Sequence, residues 1–82
     1  MYFVYILKCN DGSLYTGITT DVEKRFREHA NGRGGAYTRS HGAKKIVYTE
    51  KRRNRSAAQK REAQIKRLAR RDKLALITAR RG

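Results

Sequence analysis

A lone acid occupies a position where a helix should carry its apolar stripe. Residues 56–70 read SAAQKREAQIKRLAR. At helical spacing Ala58, Ile65 and Ala69 fall at i, i+7 and i+11, and Glu62 fills the i+4 position of the same face. A carboxylate on an inward face is costly unless it meets a metal ion, a partner charge or a chemical task. The plain alternative is a slightly rotated helix on which Glu62 pairs with Lys66 in solvent. Earlier in the chain, Arg25 and His29 stand at i and i+4 of another helical stretch and so share a face. A guanidinium there can hold an oxyanion and an imidazole can move a proton. Without further context, the pair also reads as a solvated helix face between Lys24 and Glu28. Two phenols, Tyr5 and Tyr15, sit in strand-like segments where an ordinary core aromatic is the default reading.

The elements that must position these residues are legible from pattern. Residues 2–9, YFVYILKC, are aromatic and aliphatic on both alternating sets, as in a strand covered on both faces. Asn10-Asp11-Gly12 is a hairpin signal, and residues 13–18, SLYTGI, form the returning strand. Thr19 to Asp21 offer cap chemistry for a helix over VEKRFREHA, with Val22, Phe26 and Ala30 as its apolar stripe and Asn31-Gly32 as its stop. The glycine-rich GRGGAYTRSHGA reads as a mobile loop in which Tyr37 and His41 have no catalytic task. Lys45 to Glu50 form a third strand, Ser56 caps the helix of Glu62, and Asp72 caps a last helix over KLALITA. The expected fold is α+β: a small, mainly antiparallel three-stranded sheet flanked by helices, in the order β-β-α-β-α-α. Residues 1–82 are expected to make one domain.

The hairpin sets a geometric test. A two-residue loop pairs positions that sum to 23 and sends Tyr5 and Tyr15 to opposite faces of the sheet. A three-residue loop with Gly12 in the left-handed region gives a sum of 22, places Tyr15 opposite Leu7, and leaves both rings on one face. A shared site requires the second register, which is the one predicted. Gly17 fits such a site because a missing side chain permits close backbone approach.

Charge points to the partner. The 82 residues hold 21 lysines and arginines against seven acids, a net of +14. Residues 1–22 carry Lys8 against Asp11 and Asp21, net −1, whereas residues 51–82 carry thirteen bases against Glu62 and Asp72, net +11. One-sided positive charge of this size fits a polyanion, foremost nucleic acid. Lys51, Arg52, Arg53, Arg55, Lys60 and Arg61 are the candidate phosphate contacts. Six engaged phosphates would weaken binding roughly a thousandfold between 50 and 200 mM salt. The basic helices show no aromatic face for a membrane surface, and no apolar run reaches spanning length. The single cysteine, Cys9, reads as a small buried hydrophobe in a reducing compartment, so the expected location is the cytoplasm. His29 and His41 lack the further ligands of a zinc site.

Taken in order, Phe3-Val4-Tyr5, Tyr15-Thr16-Gly17, Arg25 with His29, and Glu62 resemble the GIY-YIG endonuclease family over nearly the whole chain, most closely its small stand-alone bacterial members. The resemblance implies metal-dependent hydrolysis of phosphodiester bonds in DNA, with RNA a second possible substrate. It implies one divalent cation, Mg²⁺ or Mn²⁺, on Glu62. It implies that Tyr5 or Tyr15 orients or deprotonates the attacking water, that Arg25 holds the scissile phosphate, and that His29 assists proton transfer or phosphate contact. Only the tyrosine of the first triplet is retained, and the second reads Tyr-Thr-Gly. No asparagine follows Glu62, and no separate recognition domain is expected. The expected activity is therefore structure-selective or non-specific, with any sequence specificity supplied by a protein partner. The competing readings are a non-catalytic nucleic-acid-binding module of the same fold and a ribosome-associated basic protein.

Overall fold

In the computed structural model, which describes residues 1–81, β1 (Tyr2–Cys9) turns at Asn10-Asp11-Gly12 into β2 (Leu14–Thr19). Gly12 has a φ of 87°, a left-handed value that a side chain disfavours. The Asp11 carboxylate accepts from the Ser13 backbone N–H at 3.0 Å and its hydroxyl at 2.7 Å, closing the turn. Leu7 pairs with Tyr15 and Phe3 with Thr19, so the register is the one with a sum of 22.

The chain continues through α1 (Val22–Ala30) and α2 (Ala36–His41) to β3 (Ala43–Arg52), then α3 (Arg55–Arg67) and α4 (Arg70–Arg81). The sheet is antiparallel in the order β2-β1-β3. It is covered on both faces, as the doubly apolar β1 requires. Val4 and Ile6 join Tyr48, Ala58, Ile65 and Ile77 in one core beneath α3 and α4. The alternate residues Tyr5, Leu7 and Cys9 are buried towards the face that carries α1.

The α+β architecture agrees with the expectation, while several local readings need correction. The glycine-rich segment contains α2, which adds a helix before β3 to the expected order. Gly35 at φ 142° and Gly42 at φ 73° bracket it, and a six-residue helix has too little intrinsic stability to announce itself by periodicity. On α1 the residue turned fully inward is His29, 1% exposed, while Ala30 of the predicted stripe is exposed. The helix is rotated to bury its functional face. Asn54, not Ser56, caps α3, accepting from the Ala57 N–H at 2.9 Å. Asp72 lies within the first turn of α4, where its charge still complements the helix dipole. Ala69 falls beyond the end of α3 and is exposed, so the inward stripe there is Ala58 and Ile65 alone. β3 is longer than Lys45–Glu50 at both ends. Cys9 is buried, as expected of a small hydrophobe.

Candidate active site

Because Leu7 faces Tyr15, the two tyrosines lie on one face of the β1–β2 hairpin, with ring centroids 6.4 Å apart. Tyr5 pairs with Gly17 across the strands, and its phenol lies over that glycine. A Cβ at position 17 would stand 2.5 Å from the Tyr5 oxygen. Gly17 is thus buried under Tyr5, and the close approach its missing side chain permits is that of the phenol.

Helix α1 delivers the next groups. Asp21 caps it by accepting from the Lys24 N–H at 3.1 Å, and Asn31 closes it. Arg25 and His29 then project towards the tyrosines from adjacent turns. The Tyr5 oxygen is 2.9 Å from His29 Nε2, and Thr38 Oγ1 on α2 is 2.6 Å from Nδ1. The Tyr15 ring meets the His29 ring edge-on at 5.1 Å. Burial pushes the Tyr5 phenol up to about 12, opposed by a hydrogen bond from Arg25 and reinforced by the charges of Tyr15 and Glu62. Burial, helped by the neighbouring Arg25 charge, lowers the His29 pKa and favours the neutral imidazole. A protonated phenol donating to Nε2 leaves Nδ1 as the ring's N–H, which donates to Thr38 Oγ1.

Arg25 donates to Glu28 at 2.9 Å and to the Gly34 carbonyl at 2.8 Å. The Glu28 bond raises the Arg25 pKa, and Arg25 in turn lowers that of Glu28. These anchors aim a permanently charged guanidinium at the Tyr5 oxygen while its side chain remains 34% exposed. A backbone carbonyl and a carboxylate thus hold a cation at the mouth of an aromatic cluster, where an oxyanion would be attracted.

Glu62 projects from α3, which packs against β1 and β2. Its side chain is 22% exposed and pairs with Lys66 at 3.4 Å, so Glu62 stands at the edge of the inward stripe and makes the i, i+4 pair. Its charge adds the smallest of the contributions to the raised Tyr5 pKa. Among the described residues no three His, Cys, Asp or Glu side chains cluster as metal ligands. A single hard carboxylate suits a cation that keeps most of its waters and takes further oxygens from a substrate phosphate. The donor set therefore fits Mg²⁺ or Mn²⁺ and does not fit a closed zinc centre.

The basic candidates divide into two groups. Arg52 and Arg61 both pair with Glu50, Arg61 through Nε at 2.9 Å, and the Tyr48 hydroxyl donates to the same carboxylate. Lys51, Arg53, Arg55 and Lys60 are exposed. Four residues without a predicted task join the cluster. Thr38 is buried against His29, and Gly34 leaves the space that the imidazole fills. Tyr37 lies 5.6 Å from the Tyr15 ring and stacks on His41 at 4.2 Å, while His41 Nδ1 meets Asp11 at 2.5 Å. Only the position of α2 unites them, and no sequence periodicity signals it. Among the described residues no helix is long and apolar enough to cross a membrane.

Comparison with known proteins gives the family and the fold. Residues 1–75 match the family described as the GIY-YIG catalytic domain. The chain is 53% identical to UPF0213 protein CPE1444 of Clostridium perfringens, over 96% of this chain and 85% of that protein. It is 47% identical to UPF0213 protein SSP2268 of Staphylococcus saprophyticus, over 94% of each. The solution NMR structure of UPF0213 protein BH0048 from Bacillus halodurans superposes with a TM-score of 0.61 at 44% identity, covering 96% of this chain and 85% of that one. The chain belongs to the GIY-YIG family, whose catalytic domain is characteristic of nucleases.

Proposed function

We propose that this protein is an endonuclease that hydrolyses phosphodiester bonds in DNA, using one divalent cation, Mg²⁺ or Mn²⁺, on Glu62. The observation that carries the reading is the convergence of Tyr5, Tyr15, Arg25 and His29 on one sheet face. The cation, when bound, stabilises negative charge developing on the phosphate oxygens.

Each residue then has a distinct task. Arg25, fixed by Glu28 and the Gly34 carbonyl, holds the scissile phosphate and stabilises the transition-state charge. Tyr15 is half-buried and Tyr5 is 2% exposed, so Tyr15 is the phenol that meets and orients the attacking water. Tyr5, donating to neutral His29, sits behind it and supplies the proton route into the imidazole. Lys51, Arg53, Arg55 and Lys60 draw in the phosphate backbone without reading bases. The low sequence specificity this implies leaves substrate selection to DNA shape or to a protein partner.

The test is a cleavage assay on labelled branched, flapped, nicked and single-stranded DNAs and an RNA, in Mg²⁺ and in Mn²⁺, with Glu62→Ala as control. Cuts that vanish in the variant support the reading and name the substrate shape. Salt-sensitive binding without products from the wild-type chain would favour a binding module instead.

A further inference from the structure

The sheet face opposite the tyrosines carries a second basic feature that the proposed chemistry does not use. Lys8 on β1 pairs directly with Lys45 on β3, two like charges facing each other across an antiparallel ladder. Such pairs are destabilising unless an anion lies between them. Arg70, at the start of α4, completes the rim, and one of its guanidinium nitrogens donates to the Gly12 carbonyl at 2.8 Å. These three cations surround a cleft of about 180 Å³ whose described lining includes no carboxylate. Its floor is aliphatic, from Leu14, Val47, Leu74 and Ile77. Leu74 is 41% exposed, a large apolar side chain left uncovered beside three positive charges.

We propose that this cleft is a nucleotide-binding site separate from the catalytic cluster, with phosphate held by Lys8, Lys45 and Arg70 and a base lying on Leu14 and Leu74. The choice of ligand follows from complementarity. A bare anion would leave the aliphatic floor exposed, and an apolar ligand would leave three cations unmatched. A planar base joined to a phosphate satisfies both. Strand alternation separates the two sites: Lys8 and Leu14 face the cleft, whereas their neighbours Leu7 and Tyr15 face the other side of the sheet. The nucleotide is either free in solution or part of a strand that passes around the edge strand β2.

The test is a ¹H–¹⁵N NMR titration of the full-length chain without divalent metal, using deoxyadenosine monophosphate, inorganic phosphate, deoxyadenosine and an eight-residue oligothymidylate. The nucleotide should shift the Lys8, Lys45 and Leu74 signals saturably, while His29 and Tyr15 stay in place. Phosphate or nucleoside alone should bind more weakly. The surface variant K8Q/K45Q, checked for an unchanged melting temperature, should weaken the nucleotide about tenfold. Displacement of the nucleotide by the oligomer identifies a strand as the ligand, and failure to displace identifies the free nucleotide. Equal shifts from inorganic phosphate with Leu74 unmoved, or nucleotide shifts confined to His29 and Tyr15, would overturn the proposal. No cleavage is involved, so this result is independent of the nuclease assay.

Discussion

The Tyr5 phenol oxygen lies 2.9 Å from Nε2 of His29, and both rings are almost fully buried. The pair is neutral on both sides: burial holds the phenol proton to about 12 and lowers the imidazole below its ordinary 6.5. A phenol in this position is a poor base by itself. Tyr15, half-buried, is the phenol nearer the surface.

The pair also sets a window of stability. His29 has a depressed folded-state pKa, so its contribution is complete above about 6.5 and is lost as pH falls through the folded value. Tyr5 has a raised one, so its contribution is complete below about 10 and is lost as pH rises through 12. Thermal unfolding followed against pH should show a plateau between these limits with a fall on each side. His29→Gln should flatten the acid side and leave the alkaline side in place.

Gly17 is predicted to be intolerant of any side chain. Gly17→Ala puts a methyl 2.5 Å from the Tyr5 oxygen, and the overpacking should cost about 1–3 kcal/mol in chemical denaturation. The pair Gly17→Ala with Tyr5→Phe should recover part of that stability, because the nearest clashing atom is gone, but none of the cleavage. A single variant as stable as wild type would show that the phenol is free to move aside.

Thr38 is 2% exposed and lies 2.6 Å from Nδ1 of His29. Thr38→Val removes the partner of Nδ1 at nearly constant volume and should cost about 1–3 kcal/mol by leaving a buried N–H unpaired. ¹⁵N spectra of the imidazole should then show loss of the single tautomer, with Thr38→Ser restoring it. Unchanged spectra would assign Thr38 to packing alone.

Glu62→Ala should reduce cleavage by at least about a hundredfold while DNA binding is retained or strengthened. In the absence of divalent metal, removing an acid from a chain of net +14 strengthens its attraction to a polyanion. Lys66→Ala frees Glu62 from its 3.4 Å partner and should lower the Mg²⁺ concentration needed for half-maximal activity. Equal cleavage by Glu62→Ala and wild type would remove Glu62 from the chemistry.

Salt dependence should divide the basic residues. Each of Lys51, Arg53, Arg55 and Lys60 replaced by Gln should reduce the slope of log affinity against log salt by about one. Arg61→Gln should change it less, because Arg61 already pairs with Glu50. An equal effect at all five positions would mean that DNA breaks the Glu50 pairs.

Local pattern in the sequence determined the hairpin, the doubly covered β1 and the α+β class. Turn chemistry at Asn10-Asp11-Gly12 and strand alternation act over a few residues and need no distant partner. Two hairpin registers fitted that pattern, and the structure decided for the one that puts Tyr5 and Tyr15 on one face, while the spacing of Arg25 and His29 put both on one side of α1. What only the tertiary structure decided is which side of each helix turns inward and what lies behind the site. α1 rotates to bury His29 in preference to Ala30, because the imidazole finds hydrogen-bond partners on two other elements. α2 is too short to hold itself together, so its existence, and with it the roles of Thr38, Gly34 and Tyr37, depends on the surface it packs against. Likewise the withdrawal of Arg52 and Arg61 onto Glu50, and the meeting of Lys8 and Lys45 beside Arg70, depend on long-range pairing. A buried polar group is stabilised by partners far away in the chain, and local sequence pattern carries no record of them.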